Sequence, residues 1–345
     1  MTSALEATRL ERAMLRALEL GAQSPLFGEN PQVGAVLINE AGEIIAEGWH
    51  KGAGTPHAEI DALKNLEAKG ISAAGLTAVV TLEPCNHQGK TGPCSEALIQ
   101  AGIKTVVFGT FDPGESEGGG RFTLEAAGVA VISEVLKSEC KQLIAPWFVN
   151  KFKKRPYVVI KWASSVDGRT AAQDGTSKWI TGAEAREDVH ARRAASQAIL
   201  VGTNTVELDD PELTARKPDG SLYENQPLRV IVGERELNPA SRVFNEDAKT
   251  LQFKTREITS VMNQLFESGI RQVFVEGGAE IESALISSGF ADEFLIYLAP
   301  KLIGGPATAI RDLGIKTIDQ AVGLEFIETK KLGDDILIRA INKEN

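Results

Sequence analysis

The segments TPHAEIDAL at residues 55–63 and TAVVTLEPCNHQGKTGPC at residues 77–94 decide the fold of the first half of the chain. Thr55-Pro56 is a favourable helix start, and TAVVTL is an apolar run of the length of a buried strand. Pro93-Cys94 then begins another helix. A helix, a strand and a helix in succession predict an α/β sheet whose strand ends face helix N-termini, where such sheets place their ligand sites.

The neighbouring segments extend this pattern in both directions. VGAVLIN (33–39) and EIIAEGW (43–49), joined by a short Glu-Ala-Gly turn, predict a β-hairpin. The other elements predicted in this half are helices at 4–20, 57–68, 94–101 and 134–152 and strands at 77–82, 105–109 and 129–133. Strands that alternate with helices indicate a sheet covered on both faces.

A second α/β unit begins after Arg155-Pro156, which ends any helix. Strands are predicted at 157–163, 198–202, 228–233, 272–278, 292–300 and 334–340, and helices near 184–193, 257–268 and 279–288. We therefore predict two domains, residues 1–150 and 151–345. The basic run KFKKR (151–155) is interpreted as a solvated linker, and a patch for phosphate or nucleic acid is the alternative.

Composition restricts the class of protein. The 345 residues are 43% hydrophobic and 24% charged, as expected of a soluble globular protein, and the formal net charge of −10 argues against broad binding to nucleic acid. Neither a signal peptide nor a membrane span is expected, because no apolar run is long enough. Three cysteines cannot form a disulfide framework, so we expect a cytoplasmic protein in which paired Cys and His bind metal.

One imidazole and two thiolates in this chain suit a catalytic zinc site. His57, Cys85 and Cys94 would fill three corners of a tetrahedron and leave the fourth for water, whereas a structural zinc would need a fourth protein ligand. His87 is a conceivable fourth ligand. Glu59 need not ligate and could move the proton of an activated water. The alternative is that no metal binds, so that His57 is a surface residue and both cysteines are buried thiols.

The order His-x-Glu, Pro-Cys and a second Cys resembles the zinc-dependent cytidine-deaminase superfamily. Its cysteines are usually spaced Cys-x-x-Cys, but eight residues separate Cys85 from Cys94. That spacing, with NPQVGAV (30–36), GWHKGAGTPHAE (48–59) and LEPCNHQGKTGPC (82–94), is similar to the deaminase half of the bifunctional riboflavin-biosynthesis deaminase/reductase family. The resemblance implies a cytidine-deaminase-like, three-layer α/β/α domain.

The same resemblance implies roles for residues around the zinc. His57, Cys85 and Cys94 would hold the metal and Glu59 would be catalytic, whereas the substrate would be bound by Asn30, His50, His87 and Lys90. Several residues depart from the family's usual ones: Ala35 for Cys, Asn86 for Ser, Lys90 for Arg and Gly92 for Pro. Lys90 in particular could alter contacts to phosphate. The glycine-rich loop DPGESEGGG (112–120) is interpreted as a mobile rim of the site.

The second half resembles the reductase domain of the same family, in KWASSVDGRTA (161–171), SKWITG (177–182), residues 191–216 and VEGGAEIESALI (275–286). The resemblance implies a dihydrofolate-reductase-like α/β fold and NADPH as cofactor. No GxGxxG follows the strand before Gly278, which disfavours a Rossmann site, but the helix that begins there could present N–H groups to a phosphate. The cofactor contacts implied are Ala163, Trp179, Thr205, Asp209, Gly278, Ala279, Glu280, Ile281, Glu282 and Ser283.

The substrate contacts implied in this half are Ser177, Arg193, Leu213, Arg216 and Glu276. Two arginines suit a phosphate, although taken singly Arg193 could lie on a solvated helix face and Arg216 in a loop ion pair. Trp179 taken alone could equally be a core residue. VIVGE (230–234) departs from the Val-Asp usual in the family, at the adenosine end of the cofactor site.

The resemblance of both halves implies an enzyme that deaminates 2,5-diamino-6-(5-phosphoribosylamino)pyrimidin-4-one and then reduces its ribosyl chain to ribityl. The partners expected are that phosphoribosylated pyrimidine and further copies of the chain in a dimer or tetramer, with no nucleic acid and no membrane. Two alternatives stay open. One is a zinc deaminase for nucleobases or nucleic acid with an unrelated C-terminal domain, and the other is a regulatory zinc protein without catalysis.

Overall fold

The structure, a computed structural model, describes residues 4–87, 92–114 and 118–343. It divides into two compact units, residues 1–153 and 154–345. Both units are mixed α/β, with one sheet each, so the predicted fold class is confirmed. No helix among the described residues combines the length and the apolar character needed to cross a membrane.

The first unit is a three-layer α/β/α domain. Its elements are α1 (Ala4–Gly21), β1 (Gly34–Ile38), β2 (Ile44–Trp49), α2 (Ala58–Glu67), β3 (Thr77–Leu82), α3 (Cys94–Gln100), β4 (Thr105–Thr110), α4 (Gly120–Ala126), β5 (Ala130–Ser133) and α5 (Lys137–Phe148). The strand order is β2-β1-β3-β4-β5. The β1 strand pairs antiparallel with β2 and β3, whereas β3, β4 and β5 run parallel.

The strand β1 shows why the sheet is buried on both faces. All five of its residues are buried, and because side chains alternate, Ala35 and Leu37 join one apolar cluster while Val36 and Ile38 join the other. Helix α1 packs in the second cluster, and α2, α3 and α4 pack in the first. The parallel strands β3 and β4 therefore end at one edge of a covered sheet, where ligand sites of such sheets lie.

The second unit is built on an eight-stranded sheet in the order β12-β13-β11-β6-β10-β7-β8-β9. Its elements are β6 (Tyr157–Ser165), α6 (Ala183–Ala195), β7 (Ala198–Gly202), α7 (Thr203–Asp209), β8 (Leu228–Val232), β9 (Thr250–Phe253), α8 (Ile258–Glu267), β10 (Gln272–Val275), α9 (Ala279–Ser287), β11 (Glu293–Ala299), β12 (Leu324–Leu332) and β13 (Asp335–Asn342). Strands β11, β6, β10, β7, β8 and β9 run parallel, and β13 and β12 complete the sheet antiparallel.

Some element boundaries differ from the sequence predictions. The helix predicted over 134–152 begins only at Lys137, because Leu136 has a left-handed backbone (φ +49°), and beyond Phe148 it widens into a π-helical turn, Val149–Lys153. The strand predicted over 272–278 ends at Val275. Helices α4 and α7 and strands β9 and β12 were not predicted.

Candidate functional site

The three residues predicted as metal ligands lie together in the first unit. His57 precedes the first turn of α2, Cys85 follows β3, and Cys94 is the first residue of α3. The imidazole Nδ1 lies 3.5 Å from the Cys85 Sγ and 3.3 Å from the Cys94 Sγ, and all three donor atoms are within 4.8 Å of one another. Tetrahedral zinc with ordinary bond lengths separates a nitrogen from a sulfur ligand by about 3.6 Å, so this donor set fits zinc.

The cysteines are held by the start of α3. The Cys94 N–H donates to the Cys85 Sγ (3.4 Å), and the Ser95 N–H donates to the Cys85 carbonyl (3.2 Å). Hydrogen bonds with Cys94 and His57 lower the pKa of the Cys85 thiol to about 4. The bond to Cys85 raises the pKa of the Cys94 thiol. The hydrogen bond with Cys85 also raises the pKa of His57.

Glu59 is placed for proton transfer. It lies on the first turn of α2 and its residue is only 4% exposed. Burial, with the negative charge of Cys85, raises its pKa to about 7. A carboxyl group that titrates near neutral pH can both accept and return a proton there. Among the described residues, the possible metal donors at this point are His57, Cys85 and Cys94, and Glu59 is not one of them.

A cavity of about 140 Å³ adjoins this cluster and is lined by three predicted substrate contacts, Asn30, His50 and His87. The His50 Nδ1 lies 3.0 Å from the Pro56 carbonyl, which can only accept, so this nitrogen carries the hydrogen. The His50 Nε2 therefore accepts from the Asn30 amide, also at 3.0 Å, and fixes how that amide points. Burial lowers the pKa of His50, which keeps the ring neutral.

The other two predicted contacts in this region differ in what the structure says of them. His87 lines the cavity, and its buried Nδ1 has no hydrogen-bond partner within the described part of the chain, so it is available to a ligand. Lys90 lies outside the described residues, as do residues 115–117 of the predicted mobile rim. Asp112, at the start of that rim, lines the cavity.

Sequence reasoning missed other residues that line the cavity, notably Glu83, Glu29, Trp147 and Lys151. Glu83 was foreseeable, because it is a carboxylate directly after a buried strand. Its buried side chain accepts the backbone N–H groups of Arg121 (3.0 Å) and Asp112 (3.3 Å). The other three were not foreseeable, because residues so far apart in the chain meet only once the sheet has formed.

Helix α4 docks directly on the loop that carries Cys85. The Asn86 Oδ1 accepts from the hydroxyls of Ser95 and Thr123, both at 2.9 Å. Gly120 is needed at the contact, because a Cβ added there would lie 1.8 Å from the Pro84 carbonyl oxygen. Helix α4, which was not predicted from the sequence, therefore packs against the residues on either side of Cys85.

In the second unit, the predicted substrate residues Arg193 and Glu276 form a buried ion pair. The Arg193 Nε and Nη2 donate to the Glu276 carboxylate at 2.5 and 2.9 Å, and the Lys161 Nζ lies 3.3 Å from the same group. Burial alone would raise the pKa of Glu276, but the charges of Arg193 and Lys161 outweigh it and hold the pKa at about 2. The remaining Arg193 nitrogen donates to the Thr214 carbonyl (3.0 Å).

Arg216 lies near this pair and adds to the positive charge. Its side chain forms an ion pair with Glu212, as the alternative interpretation of the sequence had it, and its backbone N–H donates to the His190 Nδ1 (3.2 Å). Burial and the charges of Arg193 and Arg242 lower the pKa of Arg216. Glu212, which pairs with both Arg216 and Arg242, offsets part of this positive charge. His190 was not identified from the sequence.

The start of α9 fits a cofactor phosphate. A Cβ added at Gly278 would have its nearest neighbour, the Thr205 Oγ1, 4.0 Å away, so the backbone is open to a ligand, and Thr205 is close to it. Two glutamates in this first turn would oppose a phosphate. However, Glu280 pairs with Arg311 (3.3 Å), and burial raises the pKa of Glu282 to about 8, so Glu282 is mostly neutral at pH 7.

The other residues predicted at this cofactor site have varied surroundings. The Ser283 Oγ accepts the Arg311 N–H (2.8 Å), and Ala279 and Ile281 lie with it in α9. Trp179 is 65% exposed, so it is no core residue, and the Arg186 guanidinium lies 4.6 Å from its ring centroid. The Asp209 carbonyl accepts from the Lys178 Nζ (3.2 Å), which links Asp209 to the Trp179 segment.

The last three predicted residues are Ala163, which lies in a strand, and Leu213 and Ser177, which lie outside the helices and strands. Ala163 lies in the central strand β6, opposite Tyr297 of β11. The side chain of Leu213 is buried in an apolar cluster with Ile199 and Val206, so only its backbone could meet a ligand. Ser177 is half-buried, and its carbonyl accepts the Ile180 N–H at 3.1 Å.

Comparison with known proteins assigns each half of the chain to a family. Residues 7–110 match the cytidine and deoxycytidylate deaminase zinc-binding region, and residues 156–338 match the RibD C-terminal domain. The riboflavin biosynthesis protein RibD of Mycobacterium tuberculosis H37Rv is 45% identical over 312 residues, covering 90% of this chain and 91% of the relative. The Escherichia coli K12 protein of the same name is 35% identical over 366 residues, covering 96% and 99%.

Two solved structures are similar over nearly the whole chain. The Thermotoga maritima diaminohydroxyphosphoribosylaminopyrimidine deaminase/5-amino-6-(5-phosphoribosylamino)uracil reductase has a TM-score of 0.77 at 34% identity, covering 97% of this chain and 99% of that one. The Acinetobacter baumannii RibD structure, form 1, has a TM-score of 0.73 at 33% identity, covering 98% and 100%.

Proposed function

The chain belongs to the RibD family of bifunctional riboflavin-biosynthesis enzymes, and from that premise we propose which of its residues carry out each of the two reactions. It is a zinc-dependent deaminase and an NADPH-dependent reductase that act on a phosphoribosylated pyrimidine. Residues 1–150 form the deaminase domain and residues 151–345 the reductase domain. The separation of two compact units close to residue 150 supports this division.

Deamination takes place in the cavity of the first unit. His57, Cys85 and Cys94 would hold zinc, which would supply Lewis acidity for the activation of water. Glu59 takes a proton from the attacking water and returns it to the departing amino nitrogen, so that ammonia and a pyrimidinedione result. The ring is bound by the Asn30 amide, oriented by neutral His50, and by the His87 Nδ1, which has no hydrogen-bond partner among the described residues. Lys90 completes the substrate contacts.

Reduction takes place in the second unit, where bound NADPH would supply the hydride for C1 of the ring-opened sugar. Ala163, Trp179, Thr205 and Asp209 bind the cofactor, and the segment from Gly278 to Ser283, including Glu280 and Glu282, lies at its phosphates. Ser177, Leu213, Arg193, Arg216 and Glu276 hold the phosphoribosylamino group. Arginine side chains can bind phosphate through several N–H donors, and a phosphate held there would fix where the open chain lies.

The observation that carries the deaminase assignment is the cluster of His57, Cys85 and Cys94 with buried Glu59 beside it. Glu59→Gln keeps the shape of the side chain but removes its acid–base chemistry, which contributes typically a factor of about 10² to 10⁴ in rate. We expect ammonia release from the phosphoribosyl-pyrimidine to fall by at least that factor, while reduction of the deaminated substrate by NADPH keeps its rate.

Both alternative functions make different predictions in this assay. A deaminase for nucleobases or nucleic acid would release ammonia from free cytosine, guanine or RNA instead, against the unfavourable net charge of −10. A regulatory zinc protein would release none from any substrate, and Glu59→Gln would leave its function unchanged. Ammonia release from the phosphoribosyl-pyrimidine by the unaltered protein, lost in the variant, excludes both.

We also propose a cytoplasmic homo-oligomer, either a dimer or a tetramer. The three cysteines are free thiols, and two of them are metal ligands in the proposed site, which a reducing compartment preserves. The outermost strand of the second sheet, β12, carries Phe326 at 65% exposure, an apolar residue that contact with another copy would cover. Sedimentation equilibrium of the full chain gives the mass; a monomer at all concentrations contradicts the oligomer.

A further inference from the structure

Lys151 lies at the deaminase cavity on an aromatic platform. It belongs to the π-helical turn that follows α5 and is one of the residues lining the cavity. Its Nζ lies 5.1 Å from the Trp147 ring centroid and 5.7 Å from that of Phe152. The Trp147 ring is itself fixed, because it is only 6% exposed and its indole N–H donates to the Glu29 carbonyl (3.0 Å). Two cation–π contacts therefore restrict where the ammonium group lies.

The charges around the cavity give Lys151 its significance. Glu29, Glu59, Glu83 and Asp112 line the cavity, and carboxylates repel a phosphate dianion. Among the described lining residues, Lys151 is the single lysine or arginine. The Lys151 ammonium therefore offers a phosphorylated substrate in this cavity a counter-charge.

Exposure indicates which end of the substrate Lys151 meets. The proposed reaction centre is the buried floor of the cavity, where Cys94 is 1% and Glu59 4% exposed. Lys151 is half-buried and Glu29 is exposed, so these two belong to the rim. A substrate that places its pyrimidine against the floor directs its ribosyl phosphate outwards, towards the rim.

On the basis of the proposed deamination, we propose that Lys151 binds the substrate's phosphate and selects phosphorylated over unphosphorylated pyrimidine ribosides. The ammonium group supplies a charge-assisted hydrogen bond to a phosphate oxygen. Because Trp147 and Phe152 already restrict the lysine chain, less conformational freedom is lost on binding. Lys151 is thus a specificity-determining residue of the first reaction and takes no part in proton transfer.

The test compares Lys151→Met with the unaltered full chain on the phosphorylated substrate and on the same compound without its phosphate, by ammonia release. Loss of a hydrogen bond to a charged group costs about 10- to 100-fold in affinity, so we expect kcat/KM for the phosphorylated substrate to fall by that factor, through KM. The unphosphorylated compound should show no change, and Lys151→Arg should retain most of the selectivity. Lys141→Met, an exposed lysine of α5, is the matched control.

Each result decides the matter. If Lys151→Met lowers kcat/KM equally for both compounds, Lys151 is only structural and the inference is wrong. It is also wrong if the unaltered protein does not discriminate between them, or if Lys151→Met leaves the discrimination intact. If the unaltered protein releases ammonia from neither compound, the proposed deamination itself fails, which the unaltered protein alone reveals. Equal zinc content in all variants shows that the site is folded.

Discussion

Glu276→Gln separates the electrostatic account of the reductase site from a purely steric one. The Glu276 carboxylate binds Arg193 through two hydrogen bonds and has Lys161 at 3.3 Å, with a side chain only 8% exposed. Glutamine has the same shape but no charge, so it leaves two partly buried cations, Arg193 and Lys161, without their counter-ion. We expect the substitution to destabilise the second unit and to weaken substrate binding.

The size of the effect follows from the pKa of Glu276, which is lowered from 4.5 to about 2. At 1.36 kcal/mol for each pKa unit, the ionised carboxylate contributes about 3 kcal/mol at pH 7. That agrees with about 3–5 kcal/mol for breaking a buried ion pair. Because the folded pKa is the lower one, the contribution is complete above pH 4.5 and is lost as the pH falls towards 2. At pH 3, about 1 kcal/mol should remain.

Hydrogen exchange read by mass spectrometry on peptides from β6 and β10 measures the opening free energy of this unit in the full chain. We expect Glu276→Gln to lower it by about 3 kcal/mol at pH 7 and by about 1 kcal/mol at pH 3. Glu280→Gln is the matched control, because its side chain is 82% exposed and surface pairs contribute little. A loss below about 1 kcal/mol at pH 7, or an equal loss at both pH values, would refute the reasoning.

Three further substitutions have distinct expected outcomes. Glu282→Gln should stabilise the second unit by about 1 kcal/mol at pH 5 and by about 3 kcal/mol at pH 7. The reason is that burial raises the pKa of Glu282 in the folded state from 4.5 to about 8, so the stability of the unaltered protein falls as the pH rises from 4.5 to 8. A gain that did not grow with pH in the same exchange experiment would contradict this prediction. Gly120→Ala should destabilise the first unit by roughly 1–3 kcal/mol in urea unfolding, because the added Cβ would lie 1.8 Å from the Pro84 carbonyl oxygen. Gly92→Ala is the control: its added Cβ has no described atom within 4 Å, so the free energy of unfolding should change by less than about 1 kcal/mol. Equal effects of the two substitutions would disprove the contact between α4 and Pro84. Cys94→Ser should weaken zinc binding by more than about a hundredfold in a chelator competition, because loss of a ligand should cost more affinity than the roughly 10- to 100-fold lost with a residue that only contacts a ligand. Cys140→Ala, which removes the third free cysteine, should leave the affinity unchanged. Equal zinc affinities in the two variants would show that Cys94 is not a ligand.

The elements predicted correctly from the sequence are those with a strong local signal. The strands β1, β3 and β7 are apolar runs bounded by turns, and they are buried on both faces. In contrast, the residues of β12 do not alternate between apolar and polar, and most of them are exposed. This strand forms because it pairs with β13. Helix α4 has seven residues, follows a glycine-rich loop and exposes Phe122 at 72%, so its sequence resembles a loop.

The residues of the candidate sites likewise divide into those with a recognisable local sequence pattern and those without one. His57, Cys85 and Cys94 were identified together because their residue types and order carry the chemistry, and the structure brings their donor atoms within 4.8 Å. Lys161 and Trp147 were missed because each is an ordinary residue of a strand or a helix until its distant partner is known. Arg193 and Glu276 were predicted as substrate contacts from the resemblance, but nothing in their local sequence indicates that they pair with each other across 83 residues.

The central claim is that one chain carries a zinc-dependent deamination and a separate, zinc-independent reduction. The most direct measurement follows ammonia release from the diaminopyrimidine substrate, and NADPH oxidation on the deaminated substrate, in one preparation with and without a zinc chelator. We predict that the chelator abolishes ammonia release, that added zinc restores it, and that NADPH oxidation continues at its original rate throughout. Ammonia release that persists after the zinc has been removed, or NADPH oxidation that stops with it, would contradict the account.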